Sequence, residues 1–146
     1  MNNTHILRLL IGALLTLLTS CSSLLSSKRE AKAAKKEQIL KTYHGTASWY
    51  SIKTNGGSAT ASGRRLTNRA YTAAHKSLPF GTKVRVTSLF NGKSEVLCIT
   101  DRGPYVKGRI IDVTIGSAQR LGFYSRGITK VKVEVLGWGN WKYRKS

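Results

Sequence analysis

The chain has 146 residues, room for one modest domain and short flanking segments. Its 25 Lys and Arg against 6 Asp and Glu give a formal charge of +19, which calls for an anionic partner or surface. Two Cys and three His, with no metal-ligand spacing among them, exclude a disulfide framework and a Cys/His metal centre, and no cofactor is expected.

The amino terminus is a leader. One Arg (Arg8) precedes the apolar run from Leu9 to Leu18, which is too short for a membrane span and of the right length for a secretory signal. It runs into Leu18-Thr19-Ser20-Cys21, which resembles the bacterial lipobox. Residues 1–20 are therefore expected to be a lipoprotein signal peptide and Cys21 a lipidated first residue, with an ordinary signal or uncleaved anchor as the alternative. Ser22 after it resembles the pattern of lipoproteins sorted to an outer membrane, facing the periplasm where the host has one. Acylation of Cys21 would leave Cys98 as the one thiol, in an apolar run where a buried, inert Cys is expected. Removing the leader takes one Arg from the 25, leaving 24 basic and 6 acidic residues, a charge of +18. On an exported chain such charge favours anionic lipid headgroups and wall polymers over nucleic acid, which is not expected as a partner.

Residues 21–42, rich in Ala, Lys and Glu without an apolar face, read as a flexible basic tether. A folded domain is expected over residues 43–137. Gly45-Thr46-Ala47-Ser48-Trp49-Tyr50 reads as a strand, residues 51–69 as a long exposed loop, and residues 70–75 as a short strand. Leu78-Pro79-Phe80-Gly81-Thr82 is a turn, and residues 83–89 alternate as a half-buried strand. Asn91-Gly92 predicts a type I′ hairpin turn into a buried strand over residues 95–100. Arg109-Ile110-Ile111-Asp112-Val113 is a fifth strand, and residues 114–121 are one short helix stopped by Gly122. Strict alternation over residues 129–135 gives a sixth strand, and residues 138–146 form a basic aromatic tail. Six short strands and one helix fit a small, mainly β, partly closed barrel.

Asp101 stands where a strand gives way to a loop punctuated by Gly103-Pro104, a usual place for a reactive side chain on a rigid scaffold. An Asp that only satisfies its own turn is the plainer reading. Asp112, between Ile111 and Val113, reads as a barrel residue bonded to backbone. Trp49, Tyr50 and Tyr105 flank the loops and can stack on sugar faces, though Trp49 can equally be core.

Five segments occur in a familiar order: Gly45-Thr46-Ala47-Ser48-Trp49-Tyr50, Thr60-Ala61-Ser62-Gly63, Thr72-Ala73-Ala74-His75-Lys76-Ser77-Leu78-Pro79-Phe80-Gly81-Thr82, Asp101-Arg102-Gly103-Pro104-Tyr105, and Gly108-Arg109-Ile110-Ile111-Asp112-Val113. Together they resemble the rare lipoprotein A (RlpA) family over about residues 44–136. The resemblance implies a six-stranded double-psi β-barrel and a lipid-anchored envelope protein. It also implies a lytic transglycosylase that cuts peptide-stripped peptidoglycan glycan strands and leaves 1,6-anhydro ends. By position it makes His75 and Asp101 the catalytic residues. In the family pattern a Glu follows Thr-Ala-x-Gly; here Arg64 stands in its place.

A transglycosylase uses no water, because the sugar's own C6 hydroxyl closes on C1. One carboxylic acid can therefore first donate and then accept the proton. Asp101 is expected in that role if burial keeps it partly protonated, with Arg102 and Arg64 opposing that if they come close. His75 would orient substrate or Asp101. Trp49, Tyr50, Arg64, Arg102 and Tyr105 are the expected substrate-binding residues, with Arg64 suited to a muramic-acid carboxylate. The alternative reading is a glycan-binding lipoprotein without turnover.

Overall fold

The computed structural model describes residues 38–141. The expected signal peptide, Cys21, most of the tether and the end of the tail lie outside those residues. The strands are β1 (Lys41–Tyr50), β2 (Thr72–His75), β3 (Lys83–Ser88), β4 (Ser94–Asp101), β5 (Arg109–Thr114) and β6 (Ile128–Gly137). One helix, α1 (Ile115–Arg120), follows β5 directly, and a 3-10 turn over Tyr124–Arg126 leads into β6. The strands close into a barrel in the order β1-β5-β2-β4-β3-β6. β1/β5 and β2/β4 are parallel, and every other pair is antiparallel. Two parallel pairs set within an otherwise antiparallel closed sheet make the expected double-psi barrel.

Alternation drives the closure. Val84 and Val86 on β3, and Val131, Val133 and Val135 on β6, are completely buried, as are Ile99, Ile111, Val113 and Phe123. Branched side chains of this size fill a small barrel and leave no channel. Each buried one contributes about 1.5–3 kcal/mol. Thr114 caps α1 by accepting from the Ser117 N–H, and Gly122, at φ +76°, ends it as its sequence position predicts.

Four details depart from expectation. β1 begins at Lys41, two residues into the expected tether, because Lys41 and Thr42 pair with Val135 and Glu134. The β3–β4 hairpin forms, but only Gly92 takes a positive φ (72°), so the turn is not type I′. A longer loop closes through Ser88 N–H to Lys93 O, while the Asn91 amide reaches across to Leu121 O and supports the helix end. β4 is not buried throughout: Val96 is exposed and Cys98 half-buried, since a barrel strand has an outer face. The loop over residues 51–71 is not wholly exposed. Thr60, Ser62 and Leu66 are buried, and Ser62 N–H donates to Thr100 O at 3.1 Å, which lays the loop over the end of β4.

The described part of the tail also folds onto the barrel. Gly139 N–H donates to Thr82 Oγ1 at 3.0 Å and Trp141 N–H to Phe80 O at 3.3 Å. A Cβ on Gly139 would lie 2.1 Å from Phe80 O and 2.2 Å from Thr82 N, both backbone atoms that cannot swing aside. Gly139→Ala is thus expected to lift the tail and cost about 1–3 kcal/mol. Urea unfolding measures the loss, and a shift of tryptophan emission reports the release of Trp141.

Candidate active site

Four adjacent strands build one polar cleft on the outer face of the barrel. Tyr50 comes from β1, Asp112 from β5, Ala74 from β2 and Asp101 from β4, in the order in which those strands lie side by side. The cleft has a volume of about 330 Å³, and Trp49, Thr54, Asn55, Arg102 and Arg109 complete its lining. Ala74 supplies a small floor between the two carboxylates.

A register shift makes this possible. Thr72 pairs with Cys98 and Ala73 with Ile99, but Ala74 pairs with Asp101, so one residue of β4 is skipped. Alternation from the buried Leu97 and Ile99 would send Asp101 inward. The bulge turns it to the outer face beside Ala74 instead, which is a common use of bulges at reactive sites. Ala74 also pairs with Asp112 across β5. The two aspartates therefore flank β2, and two interstrand steps set their Cα atoms about 10 Å apart.

Asp101 is buried, and its Oδ1 accepts from the backbone N–H groups of Ala61 at 2.9 Å and Arg102 at 2.8 Å. One donor comes from the loop folded over β4 and the other from the next residue, so the carboxyl is held by backbone alone. Asp112, expected to be bonded to backbone, is held by side chains. Ser48 Oγ donates to its Oδ1 at 2.6 Å and Arg109 Nη2 to its Oδ2 at 3.2 Å. Ser48 reaches it because β1 and β5 pair Ser48 directly with Asp112. Tyr50 is buried with its hydroxyl in no well-formed hydrogen bond, although the side chains of Thr72 and Thr100 approach it. Burial first, and then the Asp101 charge, push its pKa far up, so it remains a neutral phenol.

The other expected site residues are distributed differently. Trp49 lines the cleft, yet its indole N–H donates to Tyr124 O at 3.1 Å and its ring packs 5.0 Å from that of Tyr124. Arg102 lines the cleft but is anchored from behind. Its Nη1 donates to His75 O at 3.2 Å and Leu78 O at 2.9 Å, and its guanidinium lies 3.7 Å from the Phe80 ring centre. Arg64 does not line the cleft: it is exposed and lies 5.0 Å over the Trp141 ring on the folded tail. Tyr105 is also outside it, 81% exposed on the loop after β4.

His75 is buried, follows Ala74 on β2 and so points to the opposite side of the strand from the cleft. Its Nδ1 accepts from the N–H groups of Ser77 at 3.2 Å and Leu78 at 3.1 Å, pinning the turn that carries Phe80. Its ring packs against Tyr43 with centroids 5.7 Å apart. Burial first, then Arg102 and Lys76, lower its pKa below the ordinary 6.5. The unfolded chain thus takes up a proton at a pH where the native ring still resists it. Stability present above about pH 6.5 is lost as the pH falls below that value. His75→Asn keeps an acceptor in place of Nδ1 but does not titrate. Urea unfolding at about pH 7.5 and about pH 5 is expected to show a smaller loss in the variant than in the parent.

Among the described residues, the two carboxylates outside the cleft are engaged elsewhere. Glu95 is bonded to Arg120, and Glu134 to Lys132 with Arg85 nearby. Neither replaces the missing Glu at position 64. Asp112, expected only as a barrel residue, belongs to the site together with its supports Ser48 and Arg109, as do Thr54 and Asn55. The one available signal was the two-residue alternation that places Asp112 opposite Ile111 and Val113.

Residues 42–133 match the family described as "Lytic transglycolase". A probable endolytic peptidoglycan transglycosylase RlpA of Nostoc sp. is 49% identical over 97 residues, covering 66% of this chain and 26% of the relative. The endolytic peptidoglycan transglycosylase RlpA of Rickettsia felis is 48% identical over 97 residues, 65% of this chain and 42% of the relative. That of Neisseria meningitidis serogroup A is 44% identical over 117 residues, 76% of this chain and 48% of the relative. The chain thus spans between a quarter and a half of these relatives. Among solved structures, Streptomyces papain inhibitor superposes with a TM-score of 0.56 at 17% identity, over 68% of this chain and 97% of that one. The apo form of the expansin of Clavibacter michiganensis superposes with a TM-score of 0.52 at 20% identity, over 66% and 51%. Those two share the barrel. The motifs, the double-psi topology and the family match agree, and the chain belongs to the lytic transglycolase family, as an RlpA-type double-psi β-barrel.

Proposed function

We propose that the chain is an endolytic peptidoglycan transglycosylase, anchored in the bacterial envelope through a lipidated Cys21. The observation that carries the reading is the placement of Asp101 in the outer cleft, with one carboxyl oxygen fixed by two backbone donors. Those donors leave Oδ2 to meet the glycosidic oxygen. Acting as the general acid, Asp101 gives a proton to that oxygen as the C1–O bond breaks. The C6 hydroxyl of the same sugar closes on C1, and its proton returns to the Asp101 carboxylate. No water enters, and the acid is regenerated.

Asp112 has a different part. Fixed by Ser48 and paired with Arg109, it is a charge held opposite Asp101 across a one-residue floor. A preorganised negative charge stabilises the positive charge that grows at C1. Tyr50 adds a neutral hydroxyl beside both carboxylates. His75 acts from outside the cleft: it pins the 77–80 turn, and its carbonyl anchors Arg102.

The test incubates the full chain with amidase-stripped glycan strands and analyses the ends by mass spectrometry. Anhydro-muramic ends are expected. Strands that bind and are recovered uncut would leave a glycan-binding protein and overturn the enzymatic reading.

A further inference from the structure

Beyond the cleft, the barrel surface continues in two shallow hollows of about 360 and 460 Å³. Arg109 lines both the cleft and the nearer hollow. Thr46, Ile128 and Lys130 line both hollows and form the ridge between them. Cleft and hollows thus follow one another through shared side chains as one track over β5, β1 and β6.

The two hollows share one chemistry, unlike the acidic cleft they lead from. They are apolar at Ile128, Val106 and Phe90, which are 55%, 53% and 60% exposed. They are cationic at Arg109, Lys107, Lys130 and Arg126, and no carboxylate lines either hollow. Arg126 lies 4.1 Å over the Phe90 ring, and Lys130 Nζ is steadied by Thr46 Oγ1 at 3.1 Å, so both charges are held along the track. Two copies of this surface would repel each other, which argues against self-association. Exposed apolar faces beside fixed cations suit a sugar polymer that carries carboxylates: pyranose C–H faces rest on the apolar side chains, and carboxylates meet Lys and Arg.

The geometry points to these hollows as extended subsites for a carboxylate-bearing glycan strand, with Lys130 and Arg126 reading its charge. A cleft of about 330 Å³ holds only a short piece of a polymer, and an endolytic enzyme must seat the strand on either side of the bond it cuts. The inference rests on the transglycosylase reading above and adds the path of the strand and the residues that grip it. Remote contacts of this kind raise affinity for long substrates without touching the reacting atoms.

The experiment compares the full chain with its Arg126→Glu/Lys130→Glu variant on long stripped strands and on a stripped tetrasaccharide. The variant's KM on long strands is expected to rise about tenfold with kcat unchanged, and its kinetics on the tetrasaccharide are expected to match the parent's. Raising the salt should narrow the difference between the two proteins. Equal effects on both substrates, or none on either, overturn the proposal. A binding arm separates this inference from the catalytic one. The Asp101→Asn protein should retain long strands, release them when their carboxylates are methyl-esterified, and bind them more weakly once the two Glu substitutions are added. If that pattern holds while the parent forms no products, the subsites stand and the catalytic reading fails. Products without charge-dependent binding sink the subsites alone. Vesicles of phosphatidylglycerol serve as the control: a variant that loses vesicle binding but keeps its glycan affinity would make this a membrane face and refute the proposal.

Discussion

Asp101→Asn is expected to lower the rate of anhydro-end formation by about a thousandfold while leaving the protein folded. The substitution changes little but the proton. The Asn side-chain oxygen can still accept from Ala61 N–H and Arg102 N–H, the two bonds that orient Asp101 in the cleft. Its amide cannot, however, donate a proton to a leaving oxygen and recover one from a hydroxyl. Stability should fall by no more than about 1–2 kcal/mol, since both bonds are kept but become neutral ones. Initial rates on stripped strands, paired with thermal unfolding of the same preparations, make the check. A variant that turns over within a few-fold of the parent would remove Asp101 from the chemistry.

Asp112→Asn is expected to lower kcat by about a hundredfold with KM little changed, because its charge stabilises the transition state and not the bound sugar. Ser48 Oγ–H can still donate to the Asn oxygen, so the strand pairing that places residue 112 is kept. What goes is the charge opposite Asp101, together with the partner of Arg109. Ser48→Ala should produce a smaller effect of the same kind, since it loosens the carboxylate and leaves its charge. Steady-state kinetics on stripped strands separate kcat from KM. A rise in KM at constant kcat would make Asp112 a substrate-binding residue with no part in stabilising charge at C1.

The fold was legible because its strands advertise themselves. Val84, Val86, Val131, Val133 and Val135 alternate with polar residues, so β3 and β6 followed from period two alone, and Thr114 with Gly122 bounded the helix. Closure into a double-psi barrel is a matter of long-range pairing, which no local pattern encodes; there the resemblance supplied what periodicity could not. The site was legible in part. Asp101, Trp49, Tyr50 and Arg102 do line one cleft. What decided the rest was which side of a strand each residue occupies. The skipped residue between Ala73 and Ala74 on the β2–β4 ladder brings Asp101 outward beside Asp112, and a bulge of that kind leaves no mark in composition. The same alternation puts His75 on the other side of β2, although it adjoins Ala74 in sequence. Arg64 could not be placed from its motif, because its position depends on Trp141, a contact that spans most of the domain and exists only once the tail folds back over Gly81.

The claim that one aspartate moves a proton while the sugar's own hydroxyl closes the ring is tested most directly by running the reaction in heavy-oxygen water. The expected products carry no label and end in intact anhydro rings. Heavy oxygen at a free reducing end would show that water attacks C1, and would contradict that claim.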